Sequence, residues 1–81
     1  MNENQKVFEY IRTKWIQNER HTFFLQVSTI LNDLNIDIDV LINTLNDLNS
    51  ERKIRYSSGG VRKETYHTDD LKDQIIIFEC E

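Results

Sequence analysis

Residues 34–56, LNIDIDVLINTLNDLNSERKIRY, decide the fold of this 81-residue chain. An apolar stripe ends at Leu34, and leucines resume after a short polar break, four and then three residues apart. The stretch then turns basic and alternates polar with apolar side chains as far as Tyr56. Spacings of three and four are typical of a helix, and alternation is typical of a strand. The stretch therefore predicts the end of one helix, a tight turn, a second helix and a strand.

The turn is predicted at Asn35, because asparagine adopts the left-handed conformation more readily than most residues other than glycine. Asp37 follows at a position that suits an N-cap. A third helix is then expected over residues 38–49, with a buried line formed by Leu41, Leu45 and Leu48.

Two helices are predicted upstream, because apolar residues recur there at helical spacing. The first covers residues 4–18 and the second covers residues 24–35. Residues 23–25 could instead form a short strand before the second helix, and both alternatives stay open. The core-facing positions would be Val7, Phe8, Ile11, Trp15 and Ile16 in the first helix, and Phe24, Val27, Leu31 and Leu34 in the second.

The C-terminal part predicts a hairpin over residues 52–68, which turns at the only two glycines, Gly59 and Gly60. Its second strand would cover residues 61–68. Residues 69–81 form a last element, which fits either a helix or a buried strand over Ile75–Phe78.

Charge is distributed unevenly along the chain. The net charge is −4, yet residues 50–68 hold five of the ten Lys and Arg residues. Phosphate binding depends on local charge rather than on the total, so a nucleic-acid partner remains compatible with the composition.

Several functional classes are excluded by composition. A lone cysteine, Cys80, rules out an internal disulfide framework and a cysteine-based zinc site. The longest apolar run is far shorter than the about 20 residues of a membrane-spanning helix, and the polar N-terminus is unlike a secretory signal. Phosphate loops and nucleophile sets are absent from the sequence. We therefore expect one cytoplasmic domain over residues 1–81 that is not an enzyme and binds no metal, cofactor, membrane or small-molecule substrate.

With its predicted helices and strands in this order, the chain resembles a winged helix-turn-helix domain over residues 4–70. The resemblance rests on the apolar pattern of residues 30–36, on the spacing in the third helix, and on residues 66–68 at the end of the hairpin. The third-helix positions are Leu41, Thr44, Leu45 and Leu48, followed by Glu51 and Ile54. The resemblance implies an α+β fold with a three-helix core, a two-stranded β-hairpin wing and a C-terminal helix or strand. It also implies a regulator of transcription or replication that binds double-stranded DNA.

The candidate nucleic-acid-binding residues follow from this resemblance. Basic side chains on the wing could neutralise phosphates, although charge on a hairpin can also serve solubility alone. Asparagine amides on the third helix could pair with adenine, although asparagine is frequent throughout the chain. Asp39 on the same helix would face phosphates unfavourably, so the wing is expected to supply most of the affinity. The candidates are Arg52, Lys53, Arg55, Arg62 and Lys63 on the wing, and Asn43 and Asn46 on the helix.

An alternative function is a protein-interaction module that docks a partner through the acidic and apolar third helix. Ile38, Val40 and Ile42 would lie on the solvent side of that helix, unless its register differs by one or two residues. Ile75 and Phe78 near the C-terminus would either pack on the first helix or form a homodimer interface, and the homodimer is the expectation we favour.

Overall fold

The computed structural model describes residues 2–81, which form an α+β fold with three α-helices and one three-stranded antiparallel sheet. The strands lie in the order β1-β3-β2, so the C-terminal strand is central. The elements are α1 (Glu3–Gln17), β1 (Phe23–Gln26), α2 (Val27–Leu34), α3 (Ile38–Ser50), β2 (Ile54–Ser58) and β3 (Gln74–Cys80).

The core lies between the helices and one face of the sheet. Helix α1 packs against α3 and β3, and α3 also contacts β2. The predicted helical stripes supply most of the helical side of the core, and alternate residues of the strands supply the other side. The prediction that Ile16 faces the core is wrong, because it is 49% exposed near the end of α1, whereas Ile30, beside the predicted stripe of α2, is fully buried. Fully buried members include Val7, Ile11, Leu41, Leu45, Ile54, Ile75 and Ile77. Among residues 2–81, no helix is both long and apolar enough to cross a membrane.

Helix α2 begins later than its apolar stripe indicates. Residues 23–26 form a strand, with Phe23 and Leu25 buried and Phe24 and Gln26 exposed. The strand pairs with β3, where Phe23 lies opposite Ile77. The start of the helix is capped by a residue remote in sequence, since the Asp73 carboxylate accepts the Ser28 N–H at 3.1 Å. The strand alternative for residues 23–25 is confirmed, and the helix predicted from residue 24 is wrong at its start.

The turn between α2 and α3 follows the sequence prediction. Asn35 is left-handed, with φ 53° and ψ 53°. The Lys6 ammonium donates to the carbonyl of Leu34 at 2.7 Å, where a cation stabilises a helix C-terminus. Asp37 occupies the N-cap position of α3, but its side chain makes no capping hydrogen bond within the described part of the chain.

The hairpin expected over residues 52–68 has a different second strand. Residues 61–68 are not a strand: β2 pairs with β3, and residues 59–73 form a long β2–β3 loop with a 3₁₀ turn at Thr68–Asp70. The C-terminal element is thus a strand, and the helical alternative is wrong. Its run of branched aliphatic residues is buried on alternate positions in the centre of the sheet, which suits a strand better than a helix.

Candidate nucleic-acid interface

A surface pocket of about 490 Å³ lies between the C-terminal end of α3, the edge strand β2 and the β2–β3 loop. Four of its lining residues are basic and one is acidic, so the pocket is positively charged. The residues that line it are Asn49, Ser50, Arg52, Arg55, Tyr56, Arg62, Lys63, Glu64 and Thr65. The structure therefore brings together four of the five basic residues predicted on the wing, and we call this group the basic pocket.

Arg52 reaches the basic pocket because the chain reverses sharply after α3. Its backbone is left-handed, with φ 62°, and its N–H donates to the carbonyl of Asn49 at 3.1 Å. This left-handed conformation costs free energy, because the arginine Cβ atom lies close to the backbone there. Its side chain is exposed, and within residues 2–81 it forms no ion pair.

Lys53 lies outside the basic pocket. Its ammonium is 3.6 Å from the Glu51 carboxylate and 5.5 Å from the centre of the Phe8 ring. It thus covers the side of the core instead of the pocket, although it directly follows Arg52 in sequence.

Arg55 and Arg62 lie at the edge of the sheet. Arg55 is 3.6 Å from the Glu79 carboxylate, and both side chains are more than half exposed. An exposed pair of this kind is weak, so Arg55 can exchange this partner for a phosphate. The Arg62 guanidinium lies 5.2 Å from the centre of the Phe78 ring and, in the part of the chain that the structure describes, has no carboxylate partner.

Lys63 is held by a carboxylate of its own loop. Its ammonium donates to Asp70 at 2.8 Å, and the other oxygen of Asp70 accepts the His67 N–H at 3.0 Å. These hydrogen bonds hold the pKa of the Asp70 carboxyl below its usual range, and the bond from Lys63 has the largest effect. Lys63 is therefore the basic residue of the pocket whose charge is most fully balanced.

Two asparagines of α3 fasten the β2–β3 loop to the helix. Asn46 Nδ2 donates to the carbonyl of Tyr66 at 2.7 Å, and Asn46 Oδ1 accepts the Tyr66 N–H at 2.8 Å. Asn49 Nδ2 donates to the carbonyl of Glu64 at 3.0 Å. The donor and acceptor that Asn46 would need to bond adenine are thus engaged inside the protein. Asn49 was not among the predicted site residues, although its spacing of three from Asn46 places both on one helix face.

Tyr66 joins the loop to β2. Its ring stacks on that of Tyr56, with centroids 4.6 Å apart and planes inclined by 29°. Its hydroxyl accepts the Lys63 N–H at 2.9 Å and lies 3.0 Å from the carbonyl of Val61, to which it can donate. The Tyr56 hydroxyl is buried and has no hydrogen-bond partner among residues 2–81, and burial raises its pKa.

The exposed face of α3 is acidic. Asp39 and Asp47 flank Asn43 on this face, and all three side chains are exposed. Asp39 accepts a hydrogen bond from Thr68 at 3.3 Å, and Asp47 accepts one from Asn4 at 3.3 Å. Asn43 is therefore free to contact a partner, but it lies between two negative charges.

Two of the five apolar residues expected at a partner interface are buried in the core, and the other three are half-buried. Ile42 is 4% exposed and Ile75 is fully buried, so the expectation that they face a partner is wrong. The register of α3 turns Ile42 inward beside Leu41, and the pairing of β3 turns Ile75 toward the helices. Ile38 is half-buried against the core, and Val40 is also half-buried. Phe78 is half-buried on the face of the sheet away from the helices.

The His, Cys, Asp and Glu residues at positions 2–81 include no group of three that could hold a metal ion. No protein-family model, curated protein or solved structure matches the chain.

Proposed function

We propose that the protein is a winged helix-turn-helix protein that binds double-stranded DNA through the basic pocket. The order helix, strand, helix, helix, strand, loop, strand supports this assignment, with the β2–β3 loop in the place of the wing. Hydrogen bonds from Asn46 and Asn49 hold that loop against α3, which supports its interpretation as the wing.

The observation that carries the proposal is the convergence of basic side chains from separate segments. Arg52 follows α3, Arg55 lies on β2, and Arg62 and Lys63 lie on the loop, yet all line one pocket. Guanidinium groups bond phosphate oxygens through paired N–H donors, and release of counterions favours binding. The pocket thus offers a local positive surface on a protein whose net charge is negative.

We propose that α3 makes a minor contribution to DNA binding. Asp39 and Asp47 would lie against phosphates if this helix entered the major groove, and such repulsion acts over about 8–10 Å at physiological salt. Asn46 is engaged with Tyr66. Contacts to the DNA backbone position a protein without reading sequence, so we propose binding with modest sequence preference. A regulator of transcription or replication can use such binding.

The test is a titration of the purified protein against random-sequence duplex DNA, first at low salt and then at increasing salt. We expect micromolar affinity that falls with salt, with a slope that reports roughly three to five neutralised phosphates. Changing Arg52→Gln together with Arg62→Gln should weaken binding at least about tenfold and reduce that number by about two.

Lys53→Gln is the matched control, because Lys53 adjoins Arg52 in sequence but lies outside the basic pocket. Its binding should stay within about twofold of that of the unchanged protein. Absence of binding at low salt, or an equal loss with Lys53→Gln, would contradict the proposal.

A further inference from the structure

The face of the sheet away from the helices carries an exposed aromatic residue. Phe24 on β1 is 62% exposed, whereas its neighbours Phe23 and Leu25 point to the opposite, buried face. It pairs across the sheet with Ile76 of β3, and Phe78 lies two residues further along β3. Ile76 and Phe78 are half-buried on the same face. We call these three residues the outer-face patch.

Phe24 and Phe78 are diagonal neighbours on adjacent strands, because Phe24 pairs with Ile76. Side chains in this relation stand about 7–8 Å apart, with Ile76 beside them. A β-bulge between Arg55 and Tyr56 leaves Phe78 without a partner on β2. The sheet thus presents one exposed aromatic ring, Phe24, and one half-buried ring, Phe78, on the same side.

The patch has a basic margin. The Arg62 guanidinium lies 5.2 Å from the centre of the Phe78 ring. Arg55 lies on the same face of β2 opposite Glu79, so the margin has two arginines and one exposed carboxylate. Arg62 and Arg55 also line the basic pocket. The patch is therefore continuous with the proposed DNA-binding surface, and its margin complements the negative charge of a DNA strand.

A second copy of the chain is a poorer occupant for this patch. A stable protein–protein interface buries about 800 Å² and roughly 20–30 residues on each partner. The outer-face patch has three apolar side chains, and Ile75, which was expected to extend such an interface, is fully buried. Aromatic rings beside arginines, by contrast, are the groups on which proteins stack unpaired bases.

We propose that the outer-face patch binds unpaired bases of a DNA strand that continues from duplex held at the basic pocket. Phe24 and Phe78 stack on successive bases, and Arg62 contacts the backbone between the patch and the pocket. The protein then prefers a duplex with a single-stranded tail to a fully paired duplex. The duplex part of this inference rests on the proposed function, and the stacking part rests on the outer-face patch.

The experiment compares three DNA probes at one salt concentration: a short blunt duplex, the same duplex with a thymidine tail, and an oligothymidine alone. We expect the tailed duplex to bind about five- to a hundredfold more tightly than the blunt one. Phe24→Ala should abolish this difference and leave the affinity for the blunt duplex unchanged. Phe24→Trp, which keeps an aromatic plane, should retain it, and the added indole fluorescence should be quenched by the tail.

Ile16→Ala is the matched control, because Ile16 is 49% exposed on α1, and α1 packs on the face of the sheet opposite the outer-face patch. It should leave the preference for the tailed duplex intact. Equal binding of tailed and blunt duplex by the unchanged protein, or an unaltered preference in Phe24→Ala, would overturn the inference. Sedimentation that shows self-association abolished by Phe24→Ala, with the tail preference intact, would assign the patch to a second copy.

Oligothymidine separates failure of the inference from failure of the proposed function. If the blunt duplex does not bind but oligothymidine binds and Phe24→Ala abolishes that binding, the proposed duplex function fails while stacking on the patch holds. If the blunt duplex binds and the tail adds nothing, the duplex function holds while the patch inference fails.

Discussion

The side-chain amide of Asn46 bonds both backbone polar groups of Tyr66, with Nδ2 2.7 Å from the carbonyl oxygen and Oδ1 2.8 Å from the nitrogen. It thus satisfies a loop residue that no neighbouring strand pairs with. A residue that the sequence placed on a base-reading helix instead fixes the loop that carries Arg62 and Lys63. The shape of the basic pocket therefore depends on α3.

Replacing Asn46 by alanine should destabilise the protein by about 1–3 kcal/mol, because two backbone groups of Tyr66 lose their partners. Urea denaturation measures the loss, and hydrogen exchange at the Tyr66 amide should accelerate. Asn43→Ala, which alters an exposed asparagine on the same helix, should change stability by no more than about 0.5 kcal/mol. Similar losses for the two variants would argue against this role of Asn46.

Removing the hydroxyl group from each of the two stacked tyrosines should affect stability differently. Tyr66→Phe should cost about 1–3 kcal/mol, because it leaves the Lys63 N–H without its acceptor. Tyr56→Phe should leave stability unchanged or raise it by up to about 1 kcal/mol, since the Tyr56 hydroxyl is buried and, in the described part of the chain, unpaired. Urea denaturation of both variants provides the comparison, and a larger loss for Tyr56→Phe would contradict the hydrogen bonds described here.

Arg52→Gly should separate stability from binding. Glycine adopts φ 62° without steric cost, so we expect a gain of about 0.5–1 kcal/mol in the free energy of unfolding. DNA affinity should fall, and the salt slope should lose about one phosphate. Arg52→Lys keeps both the charge and the strained backbone, so it should change each quantity little. Tighter DNA binding by Arg52→Gly would refute the role of Arg52.

Asp70→Asn should remove part of the dependence of stability on pH. The folded protein holds the pKa of Asp70 below its usual value of 3.8, so the ionised form favours the folded state. This stabilisation is present above about pH 4 and is lost as the pH falls through the lowered pKa. Melting temperatures of the two proteins should therefore differ at pH 7 and converge in acid.

Asp69→Asn tests whether this effect belongs to Asp70 itself, because Asp69 is an exposed neighbouring carboxylate. Asp69→Asn should not show the difference from the unchanged protein at pH 7 that disappears in acid. A melting-temperature difference between the unchanged protein and Asp70→Asn that stays constant with pH would show that the carboxylate charge does not stabilise the loop.

Local sequence predicted the helices well and the strands poorly. The stripe of α3 and the left-handed turn at Asn35 depend on residues within a few positions of each other, and both are confirmed. The start of α2 was wrong because Phe24 fits the helical stripe as well as it fits the exposed side of β1. Pairing of Phe23 with Ile77 decides between the two, and that partner is remote in sequence.

The sequence predicted that the site would be basic, but it did not predict which residues line the pocket. A cluster of Arg and Lys in residues 50–68 indicated the surface, and four of its members do line one pocket. Lys53 lies outside the pocket because its ammonium lies over the Phe8 ring of α1 instead. Asn49 joins it because the β2–β3 loop folds back over α3, which no local pattern indicates.

By itself, the sequence determined the helical periodicity, the position of the α2–α3 turn and the concentration of positive charge after α3. These features arise from steric and hydrophobic preferences between near neighbours in the chain. Only the tertiary structure decided that residues 74–80 are the central strand, that Asn46 faces Tyr66, and that Phe24 is exposed. Each of these depends on a partner many residues away, and several local alternatives are close in free energy until that partner is in place.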